Sequence, residues 1–396
     1  MRSDMISIKA AEIKKSIVIT LILTIIILLV LESLSSISFY QKNRASSQSI
    51  SSTVASLQWL VTKLEDQPIS PKFERIISLR KQGIDAYPSY LFEPQMHHPD
   101  DFYYLSNVSQ SYVVYCNESG PFSEWTTDEV GFRNPKGQLG SDVDFLFIGD
   151  SFTEGACESE ENTFAGLFRR NGKKVFNLGR GGAGPLINLA TLVEYGDAVR
   201  TKTVVWFVFT GNDLQNLREE KTAKLSNYLK DGYSQQLFDQ RNIVGRNLKS
   251  FLNNEILLNQ DRVLKSKAIP GNVGYGESLD ALEAFHKERS LLLEVASRIN
   301  EIVKHQDAKL AIVLLNHPHP SYDSKIQGVV SETVVSFAED HQIPYINFTR
   351  AYLGENQSGL YTPSGPHFNA NGYNIIGSEV YRWLETKSPA SKIVQH

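Results

Sequence analysis

The chain has 396 residues, 41% hydrophobic and 21% charged, a balance that suits a globular protein and excludes disordered and fibrous classes. Its formal net charge of -4 gives no electrostatic reason to expect nucleic acid, and no Lys/Arg-rich block forms a phosphate-binding stripe. Two cysteines, Cys116 and Cys157, are too few for a disulfide scaffold or a zinc module but enough for one bridge in an oxidising compartment.

In chain order, the first element is the uncharged run IVITLILTIIILLVL (Ile17 to Leu31), preceded by Arg2, Lys9, Lys14 and Lys15. Its apolar character continues towards Ile37 and Tyr40, which predicts a transmembrane helix used as a signal anchor. A cleaved signal peptide is the alternative. The preceding basic residues keep the start cytoplasmic and send the rest across the membrane, so either reading places the main domain outside the cytoplasm. Residues 41–75 are polar and Ser-rich, as in a stalk. Residues 76–142, with many aromatics, prolines and turn formers, predict an irregular lead-in packed on the domain C-terminal to it.

From 143 short apolar runs alternate with helical stretches: VDFLFIGD (143–150), KVFNLG (174–179), TVVWFVFTGN (203–212), KLAIVLLN (309–316) and PYINF (344–348). The runs are continuous rather than alternating, as buried parallel strands are. The pattern predicts a three-layer α/β/α sandwich around a five-stranded, mostly parallel sheet over 143–386. Residues 214–277 interrupt it as a mostly helical insertion, and 387–396 form a tail.

Active groups of open α/β sheets gather at the carboxyl ends of strands. The first run ends in Gly149-Asp150-Ser151, the second in a glycine loop through Gly182, and the third in Gly211-Asn212-Asp213. His367 stands in SGPHFNANGY before the last helix. A serine, a glycine backbone, an amide and a histidine on one edge are the parts acyl transfer needs.

These four blocks, GDSFT, NLGRGG, TGND and HFNANGY, resemble those of the SGNH (GDSL) hydrolase family over about residues 143–385. The resemblance implies a flavodoxin-like SGNH fold, with Ser151 as nucleophile and His367 as general base. It also implies an oxyanion hole from the Ser151 and Gly182 backbone N–H groups and the Asn212 amide. One position departs from it. The family usually carries Asp three residues before the histidine, and this chain has Ser364, so a hydroxyl, a backbone carbonyl or an acid from elsewhere that the sequence does not identify is left to orient the ring.

Plainer readings stand beside these. Ser151 could cap the helix after the first strand. Asp150 and Asp213 read as structural turn or helix-start residues. The glycine loop after the second run looks like a dinucleotide loop but lacks the required context. His317 and His319, and His97 and His98, read as surface loop residues without a full metal-ligand set. Neither metal nor cofactor is expected. A Cys116–Cys157 bridge would pin the lead-in to the active-site loop. The expected function is a membrane-anchored serine esterase acting on small O-acyl (acetyl) esters of an extracytoplasmic glycan. The alternatives are an O-acyltransferase with the same site, or a catalytically weak glycan-binding or assembly module.

Overall fold

The structure, a computed structural model, describes residues 71–90, 102–221, 224–257, 279–319, 322–355, 357–386 and 391–394. The expected anchor, the expected stalk as far as residue 70, and His97-His98 lie outside these; residues 71–75, expected as the end of the stalk, are helical. Among the described residues no helix is long and apolar enough to cross a membrane.

The lead-in is more regular than its composition suggests. Helix α1 (Pro71–Lys81) is followed by β1 (Ala86–Pro88), β2 (Tyr112–Val114) and β3 (Glu124–Thr126). They form a small sheet in the order β1-β2-β3, parallel then antiparallel. Helix α1 buries Phe73, Ile76 and Leu79, spaced three apart on one face.

The main sheet begins after the short strand β4 (Asp142–Val143). Its first members are β5 (Phe145–Ile148), followed by helices α2 (Ser151–Glu154) and α3 (Phe164–Arg170), and β6 (Val175–Asn177), followed by α4 (Pro185–Tyr195). Strand β7 (Arg200–Thr201) pairs with β4. Then come β8 (Thr203–Phe209), α5 (Asp213–Glu220), α6 (Arg241–Leu257), α7 (Leu279–His305) and β9 (Lys309–Leu315). Helix α8 (Ser324–Asp340), β10 (Tyr345–Phe348), α9 (Arg350–Glu355), α10 (Gln357–Leu360), α11 (Ala370–Leu384) and β11 (Lys392–Val394) complete the order.

The sheet has six strands rather than the expected five, in the order β11-β10-β9-β8-β5-β6, all parallel. The extra strand comes from the predicted tail, where Lys392–Val394 pairs with Ile346–Phe348 at the sheet edge.

Both faces of the sheet are covered, which is why its strands read as unbroken apolar runs. Leu146, Ile148, Val204, Trp206 and Val208 point into one core with residues of α4, α7 and α8 and of the lead-in. Phe145, Phe147, Val205 and Phe207 point into the other, against Phe164 and Phe168 of α3 and Tyr373, Ile376 and Val380 of α11. The three-layer sandwich follows from this period-two alternation. The described part of the insertion joins the first core through Leu225, Tyr228, Leu237, Val244, Leu248 and Leu252.

Candidate active site

The carboxyl end of β5 turns sharply at Gly149, whose φ of +155° suits glycine; a Cβ there would stand 2.1 Å from Thr153 Oγ1. The one-turn helix α2 follows. Its N-cap is Asp150, whose Oδ1 accepts from the Phe152 N–H at 3.0 Å. Capping is therefore Asp150's task, and the Ser151 hydroxyl is free of it. That hydroxyl lies 2.9 Å from His367 Nε2 across 216 residues of sequence.

The other ring nitrogen has a partner that the sequence did not point to. His367 Nδ1 lies 2.8 Å from Glu118 Oε1, and Glu118 Oε2 accepts from Thr362 Oγ1 at 2.8 Å and from the His367 N–H at 3.2 Å. Burial, the largest influence on Glu118, pushes its carboxyl up. The hydrogen bonds and charge of His367 and the Thr362 bond outweigh it and hold the group below the ordinary carboxylate value. These bonds thus contribute at neutral pH and are lost as pH falls through that lowered value. An ionised carboxylate only accepts, so Nδ1 carries the ring proton and Nε2 is left to accept from Ser151 Oγ–H.

Ser364 is not the ring's orienter. Its hydroxyl and its N–H both donate to the Glu118 carbonyl, at 2.9 and 3.3 Å, so it touches the backbone of the residue that holds His367. The lead-in is bound to the site at further points. Cys116 and Cys157 form a disulfide. Arg133 donates to the Gly155 and Glu158 carbonyls just beyond α2 and stacks on Trp125. Glu118, Cys157 and His367 bring metal-type donor atoms together, but the sulfur is in the disulfide and both ring nitrogens are hydrogen-bonded, so the set does not fit a metal ion.

The glycine loop after β6 is held by Asn177, whose Oδ1 accepts from the Gly179 N–H and whose Nδ2 donates to Thr153 O. The Gly181 N–H donates to the buried Glu154 carboxylate at 2.7 Å, which sets the direction of the next peptide. Gly182 is exposed, with φ +75°, and a Cβ there would meet open space. Its left-handed φ favours glycine there. On α5, Glu220 accepts from the Gly184, Leu186 and Ile187 N–H groups, joining the start of α4 to the helix that begins after Asn212. Asn212 precedes that helix without a capping bond from its side chain. Asp213 turns back to accept from the Phe209 N–H. Burial pushes the carboxyls of Asp150 and Asp213 up, and the charge of Asp150 adds to the effect at Asp213.

His317 is buried at 3% exposure, not a surface residue as its loop sequence suggested. Its Nδ1 accepts from the His319 N–H at 3.0 Å, so Nε2 carries the proton and donates to the Pro366 carbonyl at 3.0 Å, one residue before His367. Burial, outweighing that bond, pushes His317 down to about 3, so it supports the histidine loop as a neutral ring.

The sequence profile of the GDSL-like Lipase/Acylhydrolase family matches residues 147–375, more than half of the chain. The chain belongs to this family. GDSL-type proteins are also among the solved structures similar to it. One is a member of the lipolytic protein G-D-S-L family from Veillonella parvula DSM 2008, with 13% identity over 63% of this chain and 98% of that one, TM-score 0.36. Others are a lipase/acylhydrolase from Enterococcus faecalis (12%, 63% and 100%, TM-score 0.34) and a GDSL-like lipase from Bacteroides thetaiotaomicron VPI-5482 (15%, 61% and 88%, TM-score 0.33). No curated protein matches the chain. Membership in the GDSL family makes this an ester-hydrolysing type of enzyme.

Proposed function

We propose that this GDSL-family chain is a serine esterase that removes small O-acyl groups, acetyl among them, from a glycan outside the cytoplasm. The observation that carries the serine chemistry is the 2.9 Å approach of Ser151 Oγ to His367 Nε2. His367 Nε2 takes the hydroxyl proton as Oγ attacks the ester carbonyl. The oxyanion is received by the N–H groups of Ser151 and Gly182 and the amide of Asn212. The tetrahedral intermediate collapses, His367 returns the proton to the departing alcohol, and water then releases the acid from the acyl-serine by the same path.

Asn212→Ala removes one oxyanion donor and leaves the serine and histidine in place. It lowers kcat by about 10²–10³-fold with little change in KM, as measured with p-nitrophenyl acetate. An unchanged kcat would remove Asn212 from the site.

The glycan and the location rest on the apolar N-terminal run with its preceding basic residues, which suits an enzyme facing envelope polymers. The rival reading of a weakly catalytic binding module drew its support from the absence of an acid at 364. A carboxylate on His367 Nδ1 takes that support away. Acetate release from O-acetylated xylan, measured beside p-nitrophenyl acetate hydrolysis, tests the substrate class. The full chain releases acetate into water from both. Hydrolysis of the nitrophenyl ester alone contradicts the glycan assignment, and acetyl appearing on an added sugar makes the enzyme a transferase.

A further inference from the structure

We infer that the lead-in segment completes the catalytic apparatus: Glu118 is the positioning residue of His367, taking the place of the acid absent at 364, and the Cys116–Cys157 disulfide locks it there. The inference rests on the esterase reading and adds a third side chain to it.

Four independent features converge on Glu118. Its carboxylate receives three donors, two of them from His367 itself. Its carbonyl receives both the N–H and the hydroxyl of Ser364, so the residue at the family's acid position fastens Glu118 instead of competing with it. Gly365 leaves the room it needs: a Cβ there would stand 1.9 Å from Glu118 Cδ and 2.0 Å from Oε2. Cys116, two residues earlier, is covalently joined to Cys157, six residues beyond Ser151. Asp150, the acid next to Ser151, caps the N-terminus of α2 through Oδ1.

The chemistry is set by this placement. As His367 takes the Ser151 proton it becomes a cation, and the Glu118 carboxylate stabilises that cation and keeps the proton on Nδ1. A chain segment from outside the sandwich therefore sets the rate of the strand-end serine. Dithiothreitol reduces the bridge by transferring two electrons and two protons. Its two thiols become a cyclic disulfide, and Cys116 and Cys157 become free thiols. Glu118 then keeps only hydrogen bonds to hold it in place.

The test uses the full chain and p-nitrophenyl acetate, with Ser151→Ala as the floor. Glu118→Gln lowers kcat by about 10²–10⁴-fold, leaves KM nearly unchanged, and moves the acid limb of the kcat/KM profile to lower pH. Restoring an acid at the family's position, in Glu118→Ala/Ser364→Asp, recovers activity over Glu118→Ala by about tenfold or more. Dithiothreitol slows the wild type towards the Glu118→Gln rate and leaves Glu118→Gln unaffected, and Cys116→Ser behaves as the reduced wild type. A Glu118→Gln enzyme with wild-type kcat and pH profile, beside an inactive Ser151→Ala, overturns this inference and spares the esterase reading. Full activity of the reduced wild type overturns the lock. A wild type no faster than Ser151→Ala overturns both the inference and the esterase.

Discussion

Ser151→Ala lowers kcat on p-nitrophenyl acetate by about 10⁴-fold or more, His367→Ala lowers it comparably, and the double variant is scarcely worse than either. The reason is mutual dependence. A serine hydroxyl is a poor nucleophile until a base takes its proton, and the imidazole has no task without the hydroxyl 2.9 Å away. Neither residue is a folding determinant of the sheet. Ser151 is the first residue of a one-turn helix capped by Asp150, and alanine suits that position. Thermal unfolding of Ser151→Ala therefore stays close to wild type while turnover collapses. Additive losses in the double variant would mean that the two residues act separately.

Gly365→Ala is the second large effect, because it adds one methyl group where Glu118 stands. The Gly365 backbone lies outside the left-handed region, so alanine meets no conformational penalty there. The obstacle is the Glu118 carboxyl, 1.9 Å from the new Cβ, and the side chain must leave His367 Nδ1 to relieve it. Turnover falls by about 10²–10⁴-fold, as for loss of the acid itself. The decisive comparison is Gly365→Ala in a Glu118→Ala background, where the added methyl costs little further activity because its clash is gone. A second full loss there would mean that Gly365 matters for another reason.

How much of this was legible in the sequence depends on distance along the chain. The sandwich could be read because each strand is buried on both faces and so appears as an apolar run between glycines and polar residues. β11 escaped because three residues, Lys392–Val394, carry no periodicity and pair at an edge. Ser151, Gly182, Asn212 and His367 could be read because GDSFT, NLGRGG, TGND and HFNANGY resemble the family's blocks in order. Glu118 could not: it lies 249 residues before its partner, in a turn where an acid ordinarily faces solvent. Two local signals accompany it, Cys116 two residues earlier and a glycine rather than a larger residue at 365. Each acquires meaning only once the lead-in is docked. His317 misled for a related reason, since a histidine just after a strand and just before a proline reads as loop until both ring nitrogens are seen to be bonded.

The central claim is that Ser151 is a nucleophile activated by His367. Its most direct measurement is reaction of the full chain with a fluorophosphonate, followed by intact mass and peptide mapping. The account predicts one phosphonyl group per chain, on the peptide containing Ser151, absent from Ser151→Ala and formed far more slowly in His367→Ala. A wild type that stays unlabelled, or a label that persists in Ser151→Ala, would contradict it.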